Sequence, residues 1–173
     1  MPESRAGLTA VADPGDPLDV RFRRPTTADG KALWRMARDS RVLDLNASYA
    51  YLLWCRDFAG TSVLATVGDR PAGFVSGYRR PDAPDTLMVW QVAVDAEHRG
   101  RRLASGMLDA LVDRVAPASL ETTITADNVA SIGLFTRFAD ERGASVEREP
   151  VFDAEHFPDG HDPELLFRIG PLR

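Results

Sequence analysis

Apolar positions along this chain change their spacing several times, and each change marks an element. Residues 20–24 alternate apolar and polar, the two-residue period of a half-buried strand. Thr26, Thr27 and Asp29 offer caps for a helix over residues 28–38, whose Leu33, Met36 and Ala37 share one face. A second helix is expected over residues 45–58, capped by Asn46 or Ser48, with Tyr49, Leu52, Leu53 and Phe58 as its apolar side chains. Residues 62–67 and 72–78 read as a hairpin around the turn residues Gly68, Asp69, Arg70 and Pro71. Residues 79–85, holding Pro81 and Pro84, are expected to form a loop.

Residues 86–94 are nearly all apolar, the signature of a central strand covered on both faces. A polar loop over residues 95–100 follows. Leu103, Met107, Leu108, Leu111 and Val115 then keep the helical period until Pro117 stops it. Residues 120–125 are rich in β-branched side chains and read as a strand. Residues 128–139 read as a helix carrying Ile132, Phe135 and Phe138, with Gly143 as the breaker beyond it. Two further strands are expected at 146–152 and 165–169, separated by a long loop at 153–163. The order β-α-α-β-β-β-α-β-α-β-β predicts a single α/β domain, a mixed central sheet flanked by about four helices. Residues 1–17, rich in Pro, Gly and Asp, read as a flexible tail ahead of a domain over 18–173.

A length of 173 residues suits one domain. Acidic residues number 26 against 21 basic ones, a net charge of −5 that argues against nucleic acid and anionic membrane as partners. No apolar run approaches the roughly 18 residues of a membrane span. Residues 1–18 lack the apolar core of a signal peptide, so a soluble cytoplasmic protein is expected. Cys55 is the only cysteine, and His98, His156 and His161 are never four apart, so neither a disulfide framework nor a metal site is expected. Cys55 sits in an apolar helix and reads as a buried structural thiol.

The most informative segment joins the central strand to the strong helix. Val92 and Val94 end the strand, and Arg99, Gly100, Arg101, Arg102, Leu103 and Ala104 form a basic turn running into the helix start. Unpaired N–H groups at a helix start favour an anion such as a pyrophosphate, and Gly100 lets backbone approach it closely. An ordinary helix start with solvated arginines is the plain alternative.

This segment resembles the acetyl-CoA loop of the GCN5-related N-acetyltransferases, Q/R-x-x-G-x-G/A. Arg99 matches its first position and Ala104 its last, while Arg102 stands where the middle glycine belongs. NVASIGLF at 128–135 is similar to the same family's N-x-x-A/S-x-x-L-Y/F helix. The resemblance implies a mixed-sheet acetyltransferase fold, acetyl-CoA as co-substrate, and a homodimer. It also implies that Asn128 contacts the pantetheine arm. The tyrosine that often protonates the departing thiolate in this family is Phe135 here, which has no hydroxyl.

Three longer blocks, LDLNASYAYLLWCRDF at 43–58, GYRRPDAPDTL at 77–87 and VWQVAV at 89–94, resemble the branch of that family that acetylates L-2,4-diaminobutyrate on the route to ectoine. That resemblance implies a small diamino acid substrate and places Asp44, Tyr49, Trp90, His161 and Glu164 around it. Two ammonium groups and a carboxylate need acids and donors when buried. Asp44 and Glu164 are the candidate acids for the amine, as partners and as proton acceptors. A backbone N–H of the 92–94 strand is the candidate partner for the thioester oxygen. Each residue has a plainer reading: Asp44 as a helix cap, Tyr49 and Trp90 as core, His161 and Glu164 as a solvated loop. Another amine substrate, or an acyl-CoA-binding sensor without turnover, stays open at this point.

Overall fold

The computed structural model describes residues 19–172; the expected tail at 1–17 lies outside them. Seven strands form one mixed sheet in the order β1-β2-β3-β4-β5-β7-β6. They are β1 (Val20–Arg23), β2 (Val63–Val67), β3 (Arg70–Arg80), β4 (Ala83–Val94), β5 (Ser119–Thr125), β6 (Ser145–Phe152) and β7 (Glu164–Gly170). Among the described residues only β4 and β5 run parallel. Four helices cover the sheet: α1 (Gly30–Ser40), α2 (Ser48–Asp57), α3 (Leu103–Val115) and α4 (Val129–Glu141). The element order and the α/β class agree with the sequence pattern.

Two hydrophobic clusters hold the layers together. Met107, Leu108 and Leu111 of α3 and Phe135 and Phe138 of α4 pack on Val63, Val75, Leu87, Val89 and Phe167 of the sheet. Leu33, Met36 and Ala37 of α1 and Tyr51 and Cys55 of α2 pack on Leu64, Phe74 and Ala93. One strand therefore feeds both clusters. Ser76 pairs with Gln91, but Gly77 pairs with Val89, so Trp90 is an extra residue, a β-bulge that flips the side-chain alternation of β4. Leu87 and Val89 face α3 and α4, whereas Ala93 faces α1 and α2. This is why residues 86–94 read as continuously apolar. A Cβ on Gly77 would lie 2.7 Å from the Met88 carbonyl oxygen, so the bulge requires glycine there.

Three local expectations are corrected. The loop expected at 79–85 is strand on both sides of a tight turn at Pro81 and Asp82, because β3 and β4 extend as a long hairpin. Neither Asn46 nor Ser48 caps α2; Ala47 is its N-cap, and Asn46 donates instead to the Asp44 carbonyl. The buried residues of α2 are Tyr51 and Cys55, leaving Tyr49, Leu52 and Phe58 exposed. At the start of α1, Thr26 closes a 3-10 turn over Thr27–Asp29. The Asp29 carboxylate accepts from the Thr26 N–H at 2.7 Å and from both Arg23 guanidinium nitrogens at 2.8 Å.

Candidate active site

β4 and β5 pair only where residues 86–88 meet residues 119–121. Beyond that point β5 stays with β7, while β4 continues to Val94 beside β3. The two strands splay, and the β5-facing edge of β4 beyond Met88 has no strand partner among the described residues. A wedge thus opens beyond the carboxyl ends of a parallel pair, where open α/β sheets bind ligands.

A cavity of about 350 Å³ fills the outer part of the wedge, lined by Val92, Val94, Arg99, Ala104, Asn128 and Ser131 among others. It runs to the start of α3. Gly100 and Arg102 both take positive φ, 76° and 59°, and Arg102 caps α3 without a side-chain hydrogen bond to it. The first-turn N–H groups of α3 are left facing out, a cradle for a phosphate. The sequence expectation for Arg102 and Leu103 is narrowed to backbone. Arg102 donates to Glu141 at 2.5 Å, and the Leu103 side chain is buried. Arg101 is exposed in the same turn. Asn128 caps α4, accepting from the Ser131 N–H at 3.1 Å.

A smaller cavity of about 130 Å³ lies deeper in the wedge, between Trp90, Gln91 and Val92 on β4 and Thr122 to Thr125 on β5. Phe135 reaches it from α4, and Asp44, His161 and Glu164 close its far side. A third cavity of about 430 Å³ continues over the sheet, sharing Asp44, Trp90 and Glu164 and adding Tyr78, Arg80, Glu121 and Phe157.

Asp44, His161 and Glu164 meet at the junction. His161 Nε2 lies 3.3 Å from Asp44 Oδ2 and 3.6 Å from Glu164 Oε1. Its Nδ1 lies 2.6 Å from the Asp162 carbonyl oxygen, which only accepts, so Nδ1 carries a proton. That bond, together with Asp44 and Glu164, raises the His161 pKa above its ordinary value and favours the imidazolium. Phe157 stacks on the ring with centroids 4.4 Å apart. The Glu164 side chain is 17% exposed and that of Asp44 78%, so Glu164 is the enclosed acid and Asp44 the rim acid.

Trp90 lines the junction and packs against Trp54, with ring centroids 4.3 Å apart and the planes tilted by 34°. Tyr49 does not line it: the residue is 66% exposed on α2 and borders neither of these cavities. The residue on α2 that serves the site is Tyr51, two positions later. Its hydroxyl bonds Gln91 Oε1 at 3.2 Å, and Gln91 Nε2 donates to the Asp44 carbonyl at 2.9 Å. This buried chain ties the Asp44 loop to the floor of the wedge. A glutamine within the apolar run of β4 was the available signal. Cys55 is buried and takes no part; burial pushes its thiol up to about 11.

The profile of the acetyltransferase (GNAT) family matches residues 31–139. An L-2,4-diaminobutyric acid acetyltransferase from Streptomyces coelicolor is 61% identical, covering 89% of this chain and 94% of the relative. Another of that name from Bordetella parapertussis is 44% identical over 94% of this chain and 90% of its own. Among solved structures, the diaminobutyrate acetyltransferase EctA from Paenibacillus lautus, in complex with L-2,4-diaminobutyric acid and coenzyme A, superposes with a TM-score of 0.86. It is 39% identical and covers 90% of this chain and 96% of its own.

Proposed function

The chain belongs to the acetyltransferase (GNAT) family and is an acetyl-CoA-dependent N-acetyltransferase, and on that premise we propose that it acetylates the 4-amino group of L-2,4-diaminobutyrate, within ectoine synthesis. The observation that carries this reading is the pair of carboxylates around His161, at the junction of the thioester wedge and a larger polar cavity. Relatives 55–61% identical and bearing that enzyme's name support it.

Acetyl-CoA supplies an acyl group already activated as a thioester. The wedge fits an extended pantetheine chain: a strand edge without a partner among the described residues runs along it, and a helix start with no side-chain cap stands at its mouth. Val92, Val94, Asn128 and the turn at residues 99–104 are assigned to the co-substrate. Backbone N–H groups of β4 meet the negative charge that develops on the thioester oxygen.

The amine arrives as an ammonium. With a reference pKa near 10.4, freeing its lone pair at pH 7 costs roughly 4 to 5 kcal/mol. With His161 charged, the three groups carry a net charge of −1, enough to attract the ammonium. Glu164, enclosed and beside the wedge, accepts the proton directly or through water. Asp44 holds the substrate at the rim. Phe135 offers no proton to the departing thiolate, so water reaching the wedge is assigned that task. No acyl-enzyme is required.

The test is product analysis with acetyl-CoA and diaminobutyrate, ornithine or lysine side by side. The expected outcome is preferential turnover of diaminobutyrate with NMR shifts of the 4-acetyl product. Tight acetyl-CoA binding with no turnover of any of these amines would establish a sensor instead. We further propose a cytoplasmic homodimer. The exposed edge strand β6 and its hairpin with β7 support pairing.

A further inference from the structure

The proposed substrate carries a carboxylate as well as two ammonium groups, and the acids at the wedge leave the carboxylate without a partner. His161 does not serve, because Asp44 and Glu164 already face its Nε2 and the Asp162 carbonyl takes its Nδ1. In the larger cavity the cationic side chain is Arg80, at the end of β3. Arg80 Nη1 donates to Glu121 Oε2 at 2.9 Å. Glu121 is nearly buried, its side chain 5% exposed, and it also accepts from Arg168 Nε at 3.0 Å. The Glu121 carboxylate is thus clamped between two guanidinium groups, and it fixes one edge of the Arg80 fork. The rest of that fork makes no hydrogen bond among the described residues and lines the cavity. A guanidinium anchored on one edge and open on the other suits a carboxylate.

Resting on the diaminobutyrate reading, we propose that Arg80 is the specificity residue that receives the substrate's α-carboxylate and thereby decides which amine is acetylated. Position supplies the second half of the argument. Glu121 lies on the closed part of β5, whereas Thr125, which pairs with Glu164, lies four residues further along the same strand in the open part. That is about 13 Å of strand, longer than the substrate itself, and the side chains of Arg80 and Glu164 both reach into the cavity and take up part of that span. A carboxylate held at the Arg80 end pins the α-carbon there, together with the amine bonded to it. The group free to extend past Trp90 to Glu164 and the thioester is the distal amine. Glu121 acts through Arg80 as a positioning residue.

The test compares diaminobutyrate with 1,3-diaminopropane, the same diamine without its carboxylate. The wild type should prefer diaminobutyrate in kcat/KM by about 30-fold or more. Arg80→Gln should remove most of that preference, leave diaminopropane turnover and acetyl-CoA affinity within about threefold, and release some 2-acetyl product. Arg80→Lys, which keeps the charge but not the fork, should retain part of the preference, and it decides the matter if Arg80→Gln fails to fold. Equal losses on both diamines, or an unchanged preference, would overturn the assignment of Arg80 while the diaminobutyrate reading stands. A wild type that turns over diaminopropane but not diaminobutyrate would overturn both.

Discussion

At the scale of single residues, exposure separates two carboxylates that the sequence could not rank. Glu164 is enclosed and Asp44 lies at the rim, so removing the charge of each has different consequences. Losing one member of a desolvated charged pair costs about 2 to 5 kcal/mol, so Glu164→Gln should cut kcat/KM for the amine by roughly 30-fold or more. Solvent screens a rim charge, so Asp44→Asn should cost less than roughly tenfold. Acetyl-CoA affinity should hold in both, since neither side chain lines the cavity that runs to α3. Steady-state kinetics with the amine varied, alongside calorimetric titration of the co-substrate, checks both statements. As candidates, Asp44 came from a long block that resembles a known branch, and Glu164 from the wider reach of that resemblance. Arg80 was not legible, since an arginine beside a turn carries no local mark of what it faces.

At the scale of elements, the turn before α1 gives a pH-dependent test. The Arg23 guanidinium, aided by the Thr26 backbone N–H and hydroxyl, holds the Asp29 carboxyl down at about 2 against burial. A depressed folded pKa contributes stability that is present above the unfolded value and lost as pH falls toward the folded one. The window here is therefore from about pH 5 down to about pH 2. Asp29→Asn should lower stability by about 2 kcal/mol at neutral pH. The difference from wild type should shrink across that window in thermal melts, because protonation of Asp29 removes the same charge. A constant difference would mean that shape rather than charge holds the turn. The cap was visible in the sequence as Thr26 and Asp29 three apart; the reach of Arg23 from β1 was not. Helix α3 shows the reverse case: its bounds follow from hydrophobic period alone, while the positive φ of Arg102 required the folded chain.

At the scale of the whole molecule, different cavities open onto one wedge, the routes proposed for the co-substrate and the amine, and the bulge at Trp90 turns β4 between them. Both ends of the sheet, β1 and β6, lack a strand partner on their outer side among the described residues. An unpaired edge is a template for another chain. If the homodimer forms, dilution should lower the melting temperature, since dissociation is linked to unfolding. Light scattering across a hundredfold range of concentration, run beside the melts, should give twice the chain mass at the upper end. A monomer mass throughout, with a melting temperature independent of concentration, would remove the dimer from the account.

Periodicity and turn chemistry alone determined the order of eleven elements, the bounds of α3 and the basic turn at its start. Those signals are local, carried by residues within one helical turn or one hairpin of each other. Resemblance added the family and the candidate acids of the site. Tertiary structure decided the rest. It set the splay of β4 from β5, which depends on where strands distant in sequence stop pairing. It placed Trp90 as the bulged residue, since a bulge exists only relative to a partner strand. It turned Tyr49 outward and Tyr51 inward on α2, because the helix rotates to bury Tyr51 and Cys55 against the sheet. It brought Arg80, Glu121 and Arg168 together from three strands, a cluster that sheet register creates and local pattern cannot encode.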